Sequence, residues 1–385
     1  MKYKRYGRTN LDISVLTFGA MRIPFDEAKS TGKERAQKEA SAVATVQRAA
    51  ELGINHIDTA RGYGNSERLV GLGLKEVGRE KFYITTKADA TTSHDDTLRE
   101  IDKARKAMGV DYIDIFDVHG INTREKFDAA MGRQGCLRGI QDAVEAGTVR
   151  HAAFSSHGSP DLIRDTILTD QFSAVSLHYF LTHRRTASVV ALAHERDMGV
   201  LILSPTEKPG MLAKPTGKMV ECCAPVTPVV LSHRWLLTQD AITTLAIGAA
   251  NPPEFDAHLP AAEGPDELTD EETAAVARWE QTEGEALGNT RCTVCYKCMP
   301  CPEDVAIPEI LRLRNLGTAF DMIEFGKRRY NLLEGGGDWF PGKKAPACTR
   351  CGECLPRCPE NLDIPALLDE THAMLEGTKR KRLWG

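Results

Sequence analysis

The stretch Asn55-His56-Ile57-Asp58-Thr59-Ala60-Arg61-Gly62-Tyr63-Gly64-Asn65-Ser66-Glu67 decides the fold of this 385-residue chain. It reads as a strand running into a glycine-rich polar loop and then into a helix capped at Ser66, which sets Asp58 and Tyr63 at the carboxyl end of a strand. In an α/β barrel that end carries the chemistry. Outward from it the same alternation repeats: strands are expected at 15–19, 82–87, 112–119, 149–155, 172–179, 200–204 and 242–248, with apolar residues at helical spacing between them. Eight strand-helix units with right-handed crossovers close most economically as a barrel, although an open doubly wound sheet has the same periodicity. Residues 1–17 alternate in polarity around Gly7 and Asn10 and predict a hairpin that plugs the bottom.

The length suits a barrel of about 250 residues plus an extra module. A formal charge of −5 offers no basic surface, so nucleic acid and anionic membrane are not expected as partners. No apolar run approaches the roughly 20 residues that span a bilayer, and Met1 to Arg8 lack the apolar core of a signal peptide, so the expected location is the cytoplasm. Of eleven cysteines, eight lie between Cys292 and Cys358. In a reducing compartment such crowding points to metal or cluster ligation rather than disulfides, and Cys136, Cys222 and Cys223 are read as small hydrophobes.

Three strand ends contribute reactive groups: Asp58 with Tyr63, then Lys87, then His119. A tyrosine near pKa 10 is a poor acid at neutral pH, but a neighbouring ammonium lowers that value and a carboxylate keeps the ammonium charged. Tyr63 is therefore the expected proton donor, Lys87 and Asp58 tune it, and His119 holds a carbonyl oxygen. A metallohydrolase could instead use His119, His157 and His178 with Asp58, but that reading gives Tyr63 and Lys87 no role.

With the opening Tyr6-Gly7-Arg8-Thr9-Asn10-Leu11, then Asp58-Thr59-Ala60, Tyr63-Gly64, Ser66-Glu67, Lys87 and His119, residues 1 to about 260 resemble the aldo-keto reductases. The resemblance implies a (β/α)8 TIM barrel, NADP(H) or NAD(H) as cofactor, and hydride transfer to a small-molecule carbonyl. It also implies cofactor contacts at Ser155, Ser176, Tyr179, Ser204, Thr206, Gly210 and Gly248. Ser155-Ser156 stands where the family has Ser-Asn, and Ser176 where it has Gln. The segment 248–258 contains no Lys or Arg to meet a 2′-phosphate.

Beyond a charged helix from Glu271 to Leu287 the composition changes. Cys292-x2-Cys295-x2-Cys298-x2-Cys301-Pro302 is followed by Cys348-x2-Cys351-x2-Cys354-x3-Cys358-Pro359, the second with the spacing of bacterial ferredoxins. Each run leads into a matching phrase, Glu303-Asp304-Val305-Ala306-Ile307-Pro308 against Glu360-Asn361-Leu362-Asp363-Ile364-Pro365, and then a helix. Paired Cys-x2-Cys also makes zinc ribbons, but two four-cysteine runs with Cys-Pro endings favour clusters. The segment resembles a helical ferredoxin domain with two 4Fe-4S clusters. That implies crossed ligation, with Cys292, Cys295, Cys298 and Cys358 on one cluster and Cys348, Cys351, Cys354 and Cys301 on the other. Some bacterial aldo-keto reductases carry such a tail, and Arg329-Tyr330-Asn331-Leu332-Leu333 resembles theirs.

The expected organisation is thus α/β, a TIM barrel over 1–287 followed by a small, mainly α-helical ferredoxin-like domain over 288–385. The expected function is that of an iron-sulfur aldo-keto reductase. A nicotinamide passes a hydride whereas a cluster exchanges single electrons, so wiring the two needs a flavin or another intermediary, and no flavin motif is visible. A ferredoxin or other electron carrier is the remaining candidate partner. The competing expectation is an electron-transfer or redox-sensing protein whose barrel is degenerate and fed by an external ferredoxin.

Overall fold

The computed structural model describes residues 1–207 and 210–379 and packs as two compact units. The first comprises Met1–Phe180, Thr186–Lys208 and Ser232–Asp266; the second comprises Leu181–Arg185, Pro209–Leu231 and Glu267–Gly385.

The first unit opens with an antiparallel hairpin, β1 (Tyr3–Arg5) and β2 (Asp12–Ser14). Eight parallel strands follow: β3 (Leu16–Gly19), β4 (His56–Asp58), β5 (Tyr83–Asp89), β6 (Ile113–His119), β7 (Val149–Ser156), β8 (Ala174–Leu177), β9 (Gly199–Leu203) and β10 (Thr244–Gly248). Each pairs with the next, and β10 pairs back onto β3 with Leu245 opposite Leu16 and Gly248 opposite Gly19. That last pairing closes the barrel and rules out the open sheet. The hairpin caps its lower end. Gly7, at φ +52, lies so close to Met198 and Gly199 that a Cβ would fall 2.3 Å from the Gly199 nitrogen. The adjoining Tyr6 is buried against Ile115, Ala153, Ala174, Leu201 and Ala246, which line the barrel interior.

Helices cover the outside through apolar stripes such as Val46, Leu69, Val70, Ile101 and Ile140, each fully buried and each contributing roughly 1.5–3 kcal/mol. Local signals set their ends. The helix His94–Met108 starts under a Ser93 cap whose side chain accepts from the Asp96 nitrogen, and it stops at Gly109 with φ +70. Three further helix boundaries are fixed by particular residues. The first long helix begins at Gly32, capped by Thr31. The helical segment between β6 and β7 is two helices, Arg124–Met131 and Cys136–Glu145, divided where Gly135 passes too close to the Ala129 carbonyl for any side chain. Ser66 is the first helical residue rather than the cap, because its hydroxyl is bonded to Thr59 at 2.7 Å.

The second unit is mainly helical, with Gly217–Cys223, Asp270–Leu287, Ile307–Phe320, Ile323–Tyr330 and Ile364–Leu375. The helix Asp270–Leu287, which the sequence reading grouped with the barrel, packs in this unit because Trp279 stacks on Phe320 with ring centroids 3.9 Å apart. Ile310, Leu313, Leu316, Ile364 and Leu368 complete its buried apolar face. Among the described residues no helix is long and apolar enough to cross a membrane.

Candidate active site and cysteine pockets

Consecutive strands β4, β5 and β6 bring Asp58, Lys87 and His119 to one end of the barrel, and a tight turn returns Tyr63 over them through its N–H to the Ala60 carbonyl. Lys87 is 1 % exposed, contacts the Asp58 carboxylate directly and donates to the Thr59 carbonyl at 2.8 Å. Its Nζ lies 5.8 Å from the centre of the Tyr63 ring. The His119 ring meets Tyr63 edge-on, centroids 5.8 Å apart at 82°. Burial alone would lower the Lys87 pKa, but Asp58, helped by Tyr63 and Asp117, more than offsets it and leaves the pKa raised. The ammonium therefore stays charged beside the phenol. All four residues of the sequence constellation share this mouth.

Beneath them the interior is polar in specific places. His56 is held between Thr17 and Thr85 at 2.8 Å on either ring nitrogen, and burial, with the Lys87 charge adding, pushes its pKa down to about 3. His157 and His178 face each other with centroids 4.3 Å apart, whereas His119 faces Tyr63. Among the described residues no three His, Cys, Asp or Glu side chains are placed to hold a single metal ion. The sequence reading passed over Asp117, which is in register with Lys87. Its signal was present in Ile115-Phe116-Asp117-Val118-His119, where alternation puts Asp117 on the same inward face as His119.

The positions expected to meet a nicotinamide are less uniform. Ser155 Oγ accepts from Gly120 N at 3.0 Å, and Ser156 donates to the Ile121 carbonyl at 2.5 Å, so both tie down the loop after β6. Ser176 turns to Asp117, donating at 3.4 Å. Tyr179 is buried in the core, its ring 5.2 Å from Trp235 and its hydroxyl bonded to Gln239 at 3.2 Å. Ser204, at φ +52, and Thr206 lie in the loop after β9; Lys208 and Pro209 of that loop are outside the described residues, and Gly210, at φ +86, belongs to the second unit. At Gly248 the structure supplies what the local sequence lacked. Arg22, just after β3, donates to the Gly248 carbonyl at 3.1 Å and pairs with Glu254 at 2.6 Å, so a half-exposed guanidinium stands in the β10 loop. Sequence proximity could not reveal it, because the partners are 226 residues apart.

In the second unit the eight cysteines line two pockets. Cys292, Cys295, Cys298 and Cys358 line one, and Cys301, Cys348, Cys351 and Cys354 line the other. Three cysteines of each set come from one run and the fourth from the other. The backbone repeats with them. Val294 and Tyr296 in the first run, and Arg350 and Gly352 in the second, all have positive φ, as do Asp304 and Asn361 after the Cys-Pro turns. For a β-branched or bulky residue this is an outlier that the surroundings must impose. Burial pushes the Cys292 thiol up to about 11 and Cys298 up to about 12, a cost that thiolate ligation to iron reverses. Four thiols line each pocket, yet among the described residues no three of them are placed to hold a single ion, an arrangement that fits an iron-sulfur cluster in each.

Residues 15–280 match the aldo/keto reductase family and residues 291–362 match the 4Fe-4S dicluster domain. The chain is 23 % identical over 316 residues to the uncharacterized oxidoreductase YqkF of Bacillus subtilis, covering 72 % of this chain and 95 % of that protein. It is 24 % identical over 230 residues to the NADH-specific methylglyoxal reductase of Escherichia coli, covering 54 % and 68 %. The holo form of the aldo-keto reductase AKR11C1 from Bacillus halodurans has the same fold, with a TM-score of 0.58 and 21 % identity over 72 % of this chain and 96 % of that one. With the family matched over more than half its length and the dicluster match following, the chain belongs to the aldo/keto reductase family and carries a C-terminal 4Fe-4S dicluster domain.

Proposed function

We propose that the barrel reduces a small-molecule carbonyl, or oxidises the corresponding alcohol, with Tyr63 as the proton donor. The observation that carries this reading is the buried Lys87 ammonium, held by Asp58 and Thr59 and set 5.8 Å from the Tyr63 ring. In the reducing direction a hydride adds to the carbonyl carbon, the C=O π pair moves onto oxygen, and the Tyr63 hydroxyl gives its proton to that oxygen, leaving the alcohol. Lys87 stabilises the phenolate left behind, Asp58 keeps Lys87 charged, and His119 orients the carbonyl oxygen. Solvent then returns the proton to Tyr63.

A bound nicotinamide would supply the hydride. Ser155, Ser204 and Thr206 near the strand ends and Arg22 in the β10 loop are the groups that would hold the dinucleotide, while Ser176 and Tyr179 are engaged inside the protein. The two cysteine sets would hold 4Fe-4S clusters, exchanging single electrons with a ferredoxin or similar carrier, and the division of labour is carbonyl chemistry in the barrel unit and clusters in the cysteine-bearing unit. The proposed location is the cytoplasm. Because a relative is named a methylglyoxal reductase, small aldehydes and dicarbonyls are the first substrates to try.

The test is Tyr63→Phe in the cluster-loaded protein, assayed with NADH and NADPH against such a panel. Loss of turnover by roughly 10² to 10⁴, with the visible cluster spectrum unchanged, is expected; undiminished turnover overturns the reading. The engagement of Ser156 and Ser176 inside the protein favours a second reading, electron transfer by a barrel that binds no dinucleotide. Saturable binding of either dinucleotide counts against it.

A further inference from the structure

Asp117 has no place in the chemistry described so far. Its strand is buried, and the neighbours that share its inward face, Ile115 and Ala153, are apolar. Register pairs it with Lys87, so the two side chains leave adjacent strands on the same side at the same level. Ser176 donates to its Oδ2, and the buried Tyr6 of the hairpin segment is among the groups whose charge state Asp117 influences. Oδ1 has no hydrogen-bond partner. A carboxyl kept for architecture alone would have both oxygens satisfied, and an apolar side chain would fill this layer without a desolvation penalty.

We propose that Asp117 is a positioning residue that shares the Lys87 ammonium with Asp58 and, when ionised, holds Tyr63 in its protonated, donating form. This rests on the reading of Tyr63 as the proton donor. The charged and titratable groups facing Asp117 are Lys87 from β5, Asp58 from β4 and Tyr6 from the hairpin; β8 presents the Ser176 hydroxyl, β7 presents Ala153, and His119 lies two residues along its own strand. Two carboxylates against one ammonium leave a net negative charge near the phenol and disfavour phenolate. With Asp117 protonated the group is neutral, and Tyr63 ionises more readily. Burial, resisted by Lys87 and reinforced by Asp58, pushes Asp117 up to about 7, so the change of state falls in the neutral range.

The experiment is a ¹³C NMR titration of the cluster-loaded protein labelled at aspartate Cγ and tyrosine Cζ, with Asp117→Asn and Tyr63→Phe identifying the two resonances. In the wild type the Asp117 signal should titrate near pH 7 and the Tyr63 signal should step at the same pH. Asp117→Asn should abolish that step and lower the Tyr63 ionisation midpoint by about one unit. An Asp117 signal that titrates in the ordinary carboxylate range, or a Tyr63 signal without the coincident step, overturns the proposal in the wild type alone, whatever the variants do. No substrate is needed, so failed carbonyl turnover with the coupling present would remove the proton-donor role while leaving the charge coupling intact. In turnover the same group should give an inflection near pH 7 that Asp117→Asn lacks.

Discussion

Around Lys87 the barrel buries an ammonium, carboxyl groups and a phenol within a regular parallel sheet. Around Cys298 and Cys354 the second unit buries thiols within irregular loops whose residues adopt left-handed backbone conformations. Around Lys87 the backbone is regular strand and the cost lies in desolvated charge, which the paired neighbouring strands offset by bringing Asp58 against the ammonium. Around the cysteines the backbone carries a cost as well as the buried thiols, with Val294 and Tyr296 held at φ +55 and +65. The barrel mouth is thus assembled by its fold. The cysteine pockets need something in them to justify their loops, and that dependence can be measured.

The largest expected effect follows from removing iron. Anaerobic chelation should abolish the visible absorbance and collapse hydrogen-exchange protection at Leu313 and Leu368, while Val46 and Ile101 in the barrel keep theirs. If both pairs stay protected, the cysteine unit does not rely on its clusters and the contrast fails.

An acid titration probes the other side of the comparison. His56, at about 3, and His258, at about 4, are buried with pKa values pushed below the usual 6.5, chiefly by burial, and His233 is lowered for the same reason. The unfolded chain binds protons that these folded sites refuse, so stability should fall as pH drops below about 6.5 and keep falling towards 3 to 4. Asp117 has the opposite sign, since its raised pKa contributes stability that is present below about 4 and lost as pH rises through about 7. Three histidines outweigh one carboxyl. The barrel's urea midpoint should therefore be lower at pH 5 than at pH 7, and an unchanged or higher midpoint would mean these rings are hydrated.

The smallest effect separates the two cysteine runs. Val294→Gly should stabilise the cluster unit by about 1 kcal/mol by relieving a left-handed β-branched residue, partly offset by the greater freedom of the unfolded chain. Gly352→Val at the positive φ of the second run should destabilise it, and thermal melts of the cluster-loaded protein would show both signs. Equal midpoints for both variants and the wild type would indicate that the loops carry no strain.

The barrel was legible because its strands are short, largely apolar runs, six of the eight ending in a polar residue or a glycine, and the sharing of one mouth by Asp58, Tyr63, Lys87 and His119 followed from their places at the ends of consecutive strands. Asp117 was passed over although it stands two residues before His119, because its significance comes from Lys87 in register and from Ser176 and Tyr6, which are far away in sequence. Tyr179 likewise has neighbours that its place near a strand end does not reveal, the Trp235 ring and the Gln239 side chain, about 60 residues away.

The sequence by itself determined the alternation of strands and helices, the polar groups that end several strands and the two matching cysteine runs, since these depend on spacing along the chain. Tertiary structure alone decided that β10 closes on β3, that Arg22 reaches the β10 loop and that Asp117 lies beside Lys87. Each of those is a pairing between distant segments. Local propensity does not encode such pairings; the packing of a common core does.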